Sequence, residues 1–308
     1  MITASDDGAQ YGLVIANHGY ALLVETAGGV MIPCVGRRTL GGIYCGDRVR
    51  WKQADGNSGV IVGVEPRNAV LARPDTRGNP KPLCVNLDQI VIVGLATPET
   101  GTMAASDRIR IDAYLAAAEL LHIEALVLIN KADLYASEAA RAALDATTAP
   151  WRDAGYDVLY SSTRTGAGID ALRARLHGRR SVLVGESGAG KSSLAGELLP
   201  EREIRIGEIS SGIGRGRHTT TVTMLFHLPD GGDIIDSPGV REFRLGKIPP
   251  AELAGAFRDF RPFLGECRYR DCRHVNERDC ALEQAVADKR LDANRLASYR
   301  ALLDPQER

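Results

Sequence analysis

The chain has 308 residues, enough for two or three domains that each bury a core. Its composition, 44% hydrophobic and 25% charged, excludes a disordered, collagen-like or disulfide-stapled chain. A formal net charge of −1 excludes a basic field over the whole molecule, so any contact with nucleic acid must use local patches.

The opening residues Met1 to Asp7 carry neither a cationic start nor an apolar run, which reads as no secretory leader. The richest apolar stretch, Leu115 to Ile129, is broken by Glu119, His122 and Glu124, so no membrane span is expected and the chain reads as cytoplasmic. From Tyr11 to Val64, short β-rich runs recur: Leu13 to Ala16, Tyr20 to Val24, Val30 to Val35, Asp47 to Trp51 and Gly59 to Val64. They are separated by turn signals such as Asn17-His18-Gly19 and Asp55-Gly56-Asn57. Five close-spaced strands suggest an OB-fold, a barrel whose face and loops commonly bind oligonucleotides, or else a small barrel used for packing. Arg37, Arg38, Arg48, Arg50 and Lys52 supply a basic face there, diluted by Asp47 and Asp55. Asp75 to Lys81, rich in Pro, Gly, Asn and charge, reads as a linker.

Beyond it, Ile90 to Val93 and Ala125 to Ile129 are continuous apolar runs, as expected of parallel strands buried on both faces. Between them Ile109, Ile111, Leu115, Ala118 and Leu121 approximate a helical stripe, capped by Ser106 or Asp107. A helix over Ser137 to Ala146, a strand Val158 to Tyr160, a helix carrying Ile169, Leu172 and Leu176, and a strand Ser181 to Val184 continue an alternating α/β sheet. After Ile248-Pro249-Pro250 the chain turns helical, with Ala285 to Leu303 reading as a surface helix packed on one side. The expected units are residues 1–74, an RNA-binding OB barrel; 75–247, a nucleotide-binding α/β domain; and 248–308, a small helical metal-binding domain.

The strand Ser181 to Val184 runs into Gly185-Glu186-Ser187-Gly188-Ala189-Gly190-Lys191-Ser192, a full match to G-x-x-x-x-G-K-[ST]. Backbone N–H groups of such a loop close on phosphates, Lys191 reaches the β and γ groups, and Ser192 offers an oxygen to Mg²⁺. Asn130-Lys131-Ala132-Asp133 follows an apolar strand. There Asp133 can accept both N1–H and the exocyclic amine of guanine, Asn130 braces the loop and Lys131 covers the base. Ser161-Ser162 follows the next strand, where a backbone N–H can meet guanine O6. Asp236-Ser237-Pro238-Gly239 fits a D-x-x-G that holds Mg²⁺ and senses the γ-phosphate through Gly239, and Arg217-His218-Thr219-Thr220 sits where a switch threonine, Thr219 or Thr220, would meet Mg²⁺. Val240 stands where many GTPases carry a water-orienting glutamine, so His218 is the candidate catalytic group beside Lys191 and Thr220, its other reading being an RNA-contacting loop residue.

The order of these motifs is unusual. The base-reading tetrapeptide precedes the phosphate loop, which a circular permutation explains. Further on, Cys267, Cys272, His274 and Cys280 are the ligand number and type of a closed, structural Zn²⁺ site, whereas Cys34, Cys45 and Cys84 are scattered. Arg268, Arg270, Arg273 and Arg278 surround it, diluted by Asp271, Glu277 and Asp279. His18, His122, His177 and His227 read as ordinary surface or packing residues.

The assembly resembles the RsgA (YjeQ, EngC) family of circularly permuted GTPases. The resemblance covers nearly the whole chain. It rests on Asn130 to Asp133, Gly185 to Ser193, Gly216 to Thr221, Asp236 to Gly239 and the Cys267/Cys272/His274/Cys280 spacing, with support from the stretch Arg67-Asn68 to Arg73-Pro74 and from Asn86 to Gln89. It implies an OB-fold, a permuted P-loop GTPase domain and a zinc domain. It also implies engagement of the small ribosomal subunit through its rRNA late in maturation, and GTP hydrolysis to GDP and phosphate stimulated by that subunit. A monomer is expected. The alternative is a non-enzymatic RNA-binding adaptor whose nucleotide and zinc are structural.

Overall fold

The computed structural model describes residues 8–19, 21–75, 77–199, 223–237 and 243–303. The five N-terminal apolar runs become β1 (Gln10–Asn17), β2 (Leu22–Thr26), β3 (Met31–Gly36), β4 (Arg48–Gln53) and β5 (Gly59–Val64). They hydrogen-bond in the order β1-β2-β3-β5-β4, and β4 returns to β1, closing the barrel. Alternation sets which side chains enter it: Val49 and Trp51 of β4 join Val14, Val24, Ile32 and Ile61 inside, while Arg48 points outward. Asp47, read from sequence as diluting a basic face, is instead fully buried, held by Arg67 through contacts of 2.7 and 2.8 Å. That two-pronged ion pair staples the barrel to the chain that leaves it.

The stretch expected as a linker is the tip of a hairpin. Strands β6 (Val70–Pro74) and β7 (Pro80–Val85) pair antiparallel, and Asp75 closes their turn by accepting N–H groups of Arg77 and Asn79 at 2.8 Å each. The residues that mark a linker, Pro, Gly, Asn and Asp, are also those of a tight turn.

The central sheet contains β8 (Gln89–Gly94), β9 (Glu124–Ile129), β10 (Asp157–Tyr160), β11 (Arg180–Gly185), β12 (Thr223–His227) and β13 (Asp233–Asp236), ordered β10-β9-β8-β11-β13-β12. All neighbours are parallel except β12 against β13. Ile90, Val91, Ile92 and Val93 are each no more than 1% exposed; burial on this scale is worth about 1.5–3 kcal/mol per large side chain. Helices α1 (Ala105–Leu120), α2 (Glu138–Asp153), α3 (Ile169–Leu176) and α4 (Lys191–Leu198) flank it. Helix α1 begins after Ala104 with no side-chain cap, so Ser106 and Asp107 lie in its first turn, where Asp107 pairs with Arg110. Ser137 caps α2 by accepting the Ala140 N–H, and the helix runs seven residues past the expected end at Ala146.

The barrel is not a separate bead. Strand β1 pairs antiparallel with β12 at Ala16↔Met224 and Asn17↔Thr223, merging barrel and central sheet into one 11-stranded sheet. The contact is reinforced by His227, whose ring nitrogens lie 2.6 Å from Glu25 of the barrel and 2.7 Å from Asp233.

The C-terminal unit contains α5 (Pro250–Gly255), a 3-10 segment (Arg258–Phe263), α6 (Ala281–Ala287) and α7 (Ala293–Leu303). The single helix expected over Ala285 to Leu303 is broken: Lys289 adopts a left-handed φ of 58°, and Asp292 caps the restart by accepting N–H groups of Asn294 and Arg295. Phe257, Phe260 and Tyr299 form its aromatic core, with ring centroids 4.7–5.8 Å apart. Ala113 and Ala116 of α1 belong to that same core, whereas Ile111, Tyr114, Leu115 and Ala118 face the central sheet. Helix α1 is therefore buried on two sides. A buried network, Asp112 with Arg295 and Arg295 with Asp259, locks the joint, and Glu119 adds contacts of 2.6 Å to both Arg258 and Arg261.

Candidate nucleotide site and metal-ligand cluster

Parallel strands deliver their carboxyl ends to one edge of a sheet, and that edge is where open α/β sheets bind ligands. Here Asn130 follows β9, Ser161 follows β10, Gly185 ends β11 and Asp236 ends β13. Four sequence motifs therefore share one edge although 106 positions separate Asn130 from Asp236.

The glycines of the phosphate loop are required by its conformation. Gly185, Gly188 and Gly190 have φ of 129°, 85° and 92°, and a Cβ on Gly185 would lie 2.1 Å from the Val93 carbonyl oxygen. A Cβ on Gly190 would lie 2.3 Å from Asn130 Nδ2. That closeness has a purpose: Asn130 Nδ2 donates to the Ala189 carbonyl at 2.8 Å, and Asn130 Oδ1 accepts from Ser161 Oγ at 3.1 Å. One buried asparagine thus couples the Asn130–Asp133 and Ser161-Ser162 loops to the glycine-rich loop. Gly190 caps α4 without a side-chain hydrogen bond to the helix's first amides, an arrangement suited to an anion. Lys191 Nζ donates to the carbonyls of Gly185 and Glu186, at 2.7 and 2.5 Å. Glu186, Ser187, Ser192 and Ser193 are exposed along the loop and helix start.

Lys131 takes a left-handed φ of 58°, which turns the chain so that Asp133 meets the Ser161-Ser162 loop. Ser162 Oγ donates to Asp133 Oδ1 at 2.5 Å, and the Ala132 N–H donates to the Ser161 carbonyl at 2.9 Å. The Ser162 hydrogen bond, helped by Arg164, lowers the Asp133 carboxyl below its ordinary value and keeps it an ionised acceptor. Arg164 Nε sits 2.9 Å from Asp133 Oδ2 with 74% of its side chain exposed, a pairing that sequence reasoning missed. Nearby, Thr223 and Ser237 share a hydroxyl hydrogen bond of 2.9 Å where β12 begins and β13 ends. Candidates Arg217, His218, Thr219, Thr220 and Gly239 lie outside the described residues.

In the C-terminal unit the three sulfurs of Cys267, Cys272 and Cys280 each lie 3.5 Å from His274 Nδ1. All four ligand atoms fall within 4.8 Å of one another. Four convergent S and N donors on one loop can hold a metal ion and leave no ligand position for chemistry. Burial first, against an opposing backbone N–H of His274 and with help from the neighbouring thiols, pushes Cys272 up to about 12, and burial raises Cys280 as well, so an ion that binds these two must displace protons. Glu277, read as diluting a basic rim, organises the loop. Despite the opposing effect of burial, backbone N–H groups of Arg273, Val275 and Asn276 pull its carboxyl down to about 2. Tyr269, 45% exposed beside Arg268, stands at the loop's surface.

Comparison with known proteins agrees with this geometry. Residues 64–246 match the family model described as RsgA GTPase. Proteins named small ribosomal subunit biogenesis GTPase RsgA from Azotobacter vinelandii and Pseudomonas fluorescens are 46% and 45% identical, each over 96% of this chain and 85% of their own length. The crystal structure of YjeQ from Thermotoga maritima superimposes with a TM-score of 0.75 at 29% identity, covering 96% of this chain and 97% of that one. YloQ, described as a circularly permuted GTPase, gives 0.72 at 25% identity, covering 98% and 96%. With barrel, permuted motif order, phosphate loop and cysteine cluster in one chain, the protein belongs to the RsgA GTPase family of GTP-hydrolysing enzymes.

Proposed function

We propose that this chain binds GTP at the β9–β10–β11–β13 edge, hydrolyses it to GDP and phosphate, and acts in late maturation of the small ribosomal subunit through contacts with its rRNA. The observation that carries the reading is the Asn130 bridge, which joins the guanine-reading loop to the phosphate loop in a single hydrogen-bonded unit. Its relatives' names supply the ribosomal context. In this reading Asp133 reads the guanine edge, Lys131 covers the base, Ser161 and Ser162 complete the base pocket, and residues 185–193 wrap the phosphates. Lys191, released from the loop carbonyls, moves to the β and γ groups. Ser192, Thr219 or Thr220, and Asp236 offer hydroxyl and carboxylate oxygens suited to Mg²⁺. That ion, when bound, neutralises charge on the phosphate oxygens. Gly239 senses the γ-phosphate, and His218 orients the attacking water once the subunit is bound.

The cysteine cluster is proposed as a structural Zn²⁺ site. A tetrahedron with bonds of roughly 2.3 Å to sulfur and 2.0–2.1 Å to nitrogen has N···S edges of about 3.5 Å, which is the separation found between His274 and each cysteine. The division of labour follows residues 1–74 for RNA binding, 75–247 for nucleotide and 248–308 for the metal unit. Among the described residues no helix is long and apolar enough to cross a membrane, and a cytoplasmic monomer fits the role. Co-sedimentation with purified small ribosomal subunits tests the partner. The GTP-analogue form should pellet with the subunits and the GDP form should remain in solution; a GTP-analogue form that stays in solution rejects the ribosomal reading.

A further inference from the structure

One side chain of α1 touches the start of the phosphate loop and the chain that leaves the D-x-x-G motif. The Tyr114 ring stacks on Phe243, centroids 4.8 Å apart and planes 21° from parallel. The Tyr114 side chain also lines a small cleft together with Gly185 and Glu186, the first residues of the phosphate loop. One turn earlier, Arg110 reaches Glu186 of the same loop at 3.5 Å. The neighbouring face of that helical turn belongs to the C-terminal unit: Asp112 binds Arg295 of α7, and Ala113 and Ala116 lie in the aromatic core around Phe257 and Tyr299.

We propose that Tyr114 and Phe243 make α1 the relay through which the nucleotide controls the C-terminal unit. The inference rests on the reading that GTP binds at residues 185–193 and deepens it by naming the residues that pass the signal on. Phe243 lies four residues after Gly239, so a displacement of Gly239 reaches it through at most about 14 Å of extended chain. A stacked ring pair has a restricted set of arrangements, and Phe243 is half-buried against the sheet core, so it must shift or hold as a unit. Helix α1 is packed on both faces and cannot absorb such a shift by moving into solvent. A closely packed helix transmits it. The relay requires that the Phe243 segment take a different arrangement in each nucleotide state, which Tyr114 would let the phosphate loop and the C-terminal unit bias together.

The full chain tests this with hydrogen exchange over residues 281–303, measured with GDP and with a non-hydrolysable GTP analogue after the affinity for each has been determined. Wild type should show a nucleotide-dependent difference in α7. Phe243→Leu, which keeps the apolar contact and removes the stack, should shrink that difference by about threefold or more while both affinities stay within about threefold. Phe243→Tyr should restore it, and Tyr114→Leu should behave as Phe243→Leu. Thermal midpoints report fold integrity, which a nucleotide-dependent difference does not measure. No difference in wild type, or a difference that survives both leucine variants, overturns the relay. Failure of wild type to bind either nucleotide overturns the site reading beneath it, and is seen before any exchange is measured.

Discussion

Replacing Arg295 by Met should break the joint between α1 and the C-terminal unit. The guanidinium is 2% exposed and spends its donors on two carboxylates: Nε and Nη2 reach Asp259 at 3.0 and 2.7 Å, and Nη1 reaches Asp112. Its plane also covers the Phe257 ring at 4.6 Å. Met keeps most of the apolar volume but leaves Asp112, also 2% exposed, without its cation and with neutral donors alone, among them the Trp151 indole N–H at 2.8 Å. Burial already pushes the Asp112 carboxyl up with Arg295 beside it, so losing the cation forces a buried charge or proton uptake. Removing one partner of a buried pair costs about 3–5 kcal/mol, because the other charge stays in low dielectric. Adding Asp112→Asn removes that charge and should recover at least about 1 kcal/mol. Urea unfolding followed by tryptophan emission measures both, since Trp151 sits in the network and Trp51 in the barrel core. A loss below about 1 kcal/mol for Arg295→Met, or a double variant as unstable as the sum of the singles, would refute a buried, charge-dependent joint.

Asp133→Asn should weaken GTP binding by about tenfold or more and raise xanthine nucleotide affinity, because an amide offers one acceptor oxygen instead of two and its N–H₂ suits a 2-oxo group better than the guanine amine; calorimetry with both nucleotides decides it. His227 is raised to about 9, chiefly by its hydrogen bond to Asp233, with Glu25 adding to it and burial opposing. Its folded value exceeds the unfolded value near 6.5, so its contribution is complete below about pH 6.5 and fades as pH rises through 9. Wild-type denaturation midpoints should therefore fall across that window relative to His227→Gln, and parallel curves would show the pin to be inert. Elemental analysis should find one zinc per chain. Cys272→Ala should raise proteolytic sensitivity from about residue 250 onward while GTP affinity stays within about threefold; a zinc-free chain with that unit still ordered contradicts the metal assignment.

The phosphate loop, the buried parallel strands and the five barrel strands were legible because their signals are local: glycine spacing, apolar runs and turn residues. Contacts between distant segments were not. Of the stripe Ile109, Ile111, Leu115, Ala118 and Leu121, all but Ile109 lie on the sheet-facing side of α1; Ile109 packs with Ala113 and Ala116 against the C-terminal core, and those alanines carry little hydrophobic signal. Its charged partner Arg295 lies 183 positions from Asp112. His227 looked isolated because Glu25 is 202 positions away. The β1–β12 ladder joins two backbone edges, and an edge has no sequence signature. Strand β7 was hidden by Pro80 and Pro82, residues that ordinarily argue against a strand and are tolerated here in a two-stranded hairpin. Arg164 escaped notice because one arginine in a polar loop is indistinguishable from solvated charge until Asp133 is placed beside it.

Phosphate release from GTP, followed with and without small ribosomal subunits, tests the central claim most directly. With Val240 in place of a water-orienting glutamine, the chain alone should turn over slowly. Subunits should accelerate wild type strongly and His218→Ala little, with GTP and subunit affinities preserved in the variant. Release that subunits leave unchanged in wild type would contradict a subunit-activated GTPase, and equal acceleration of both proteins would remove His218 from the chemistry.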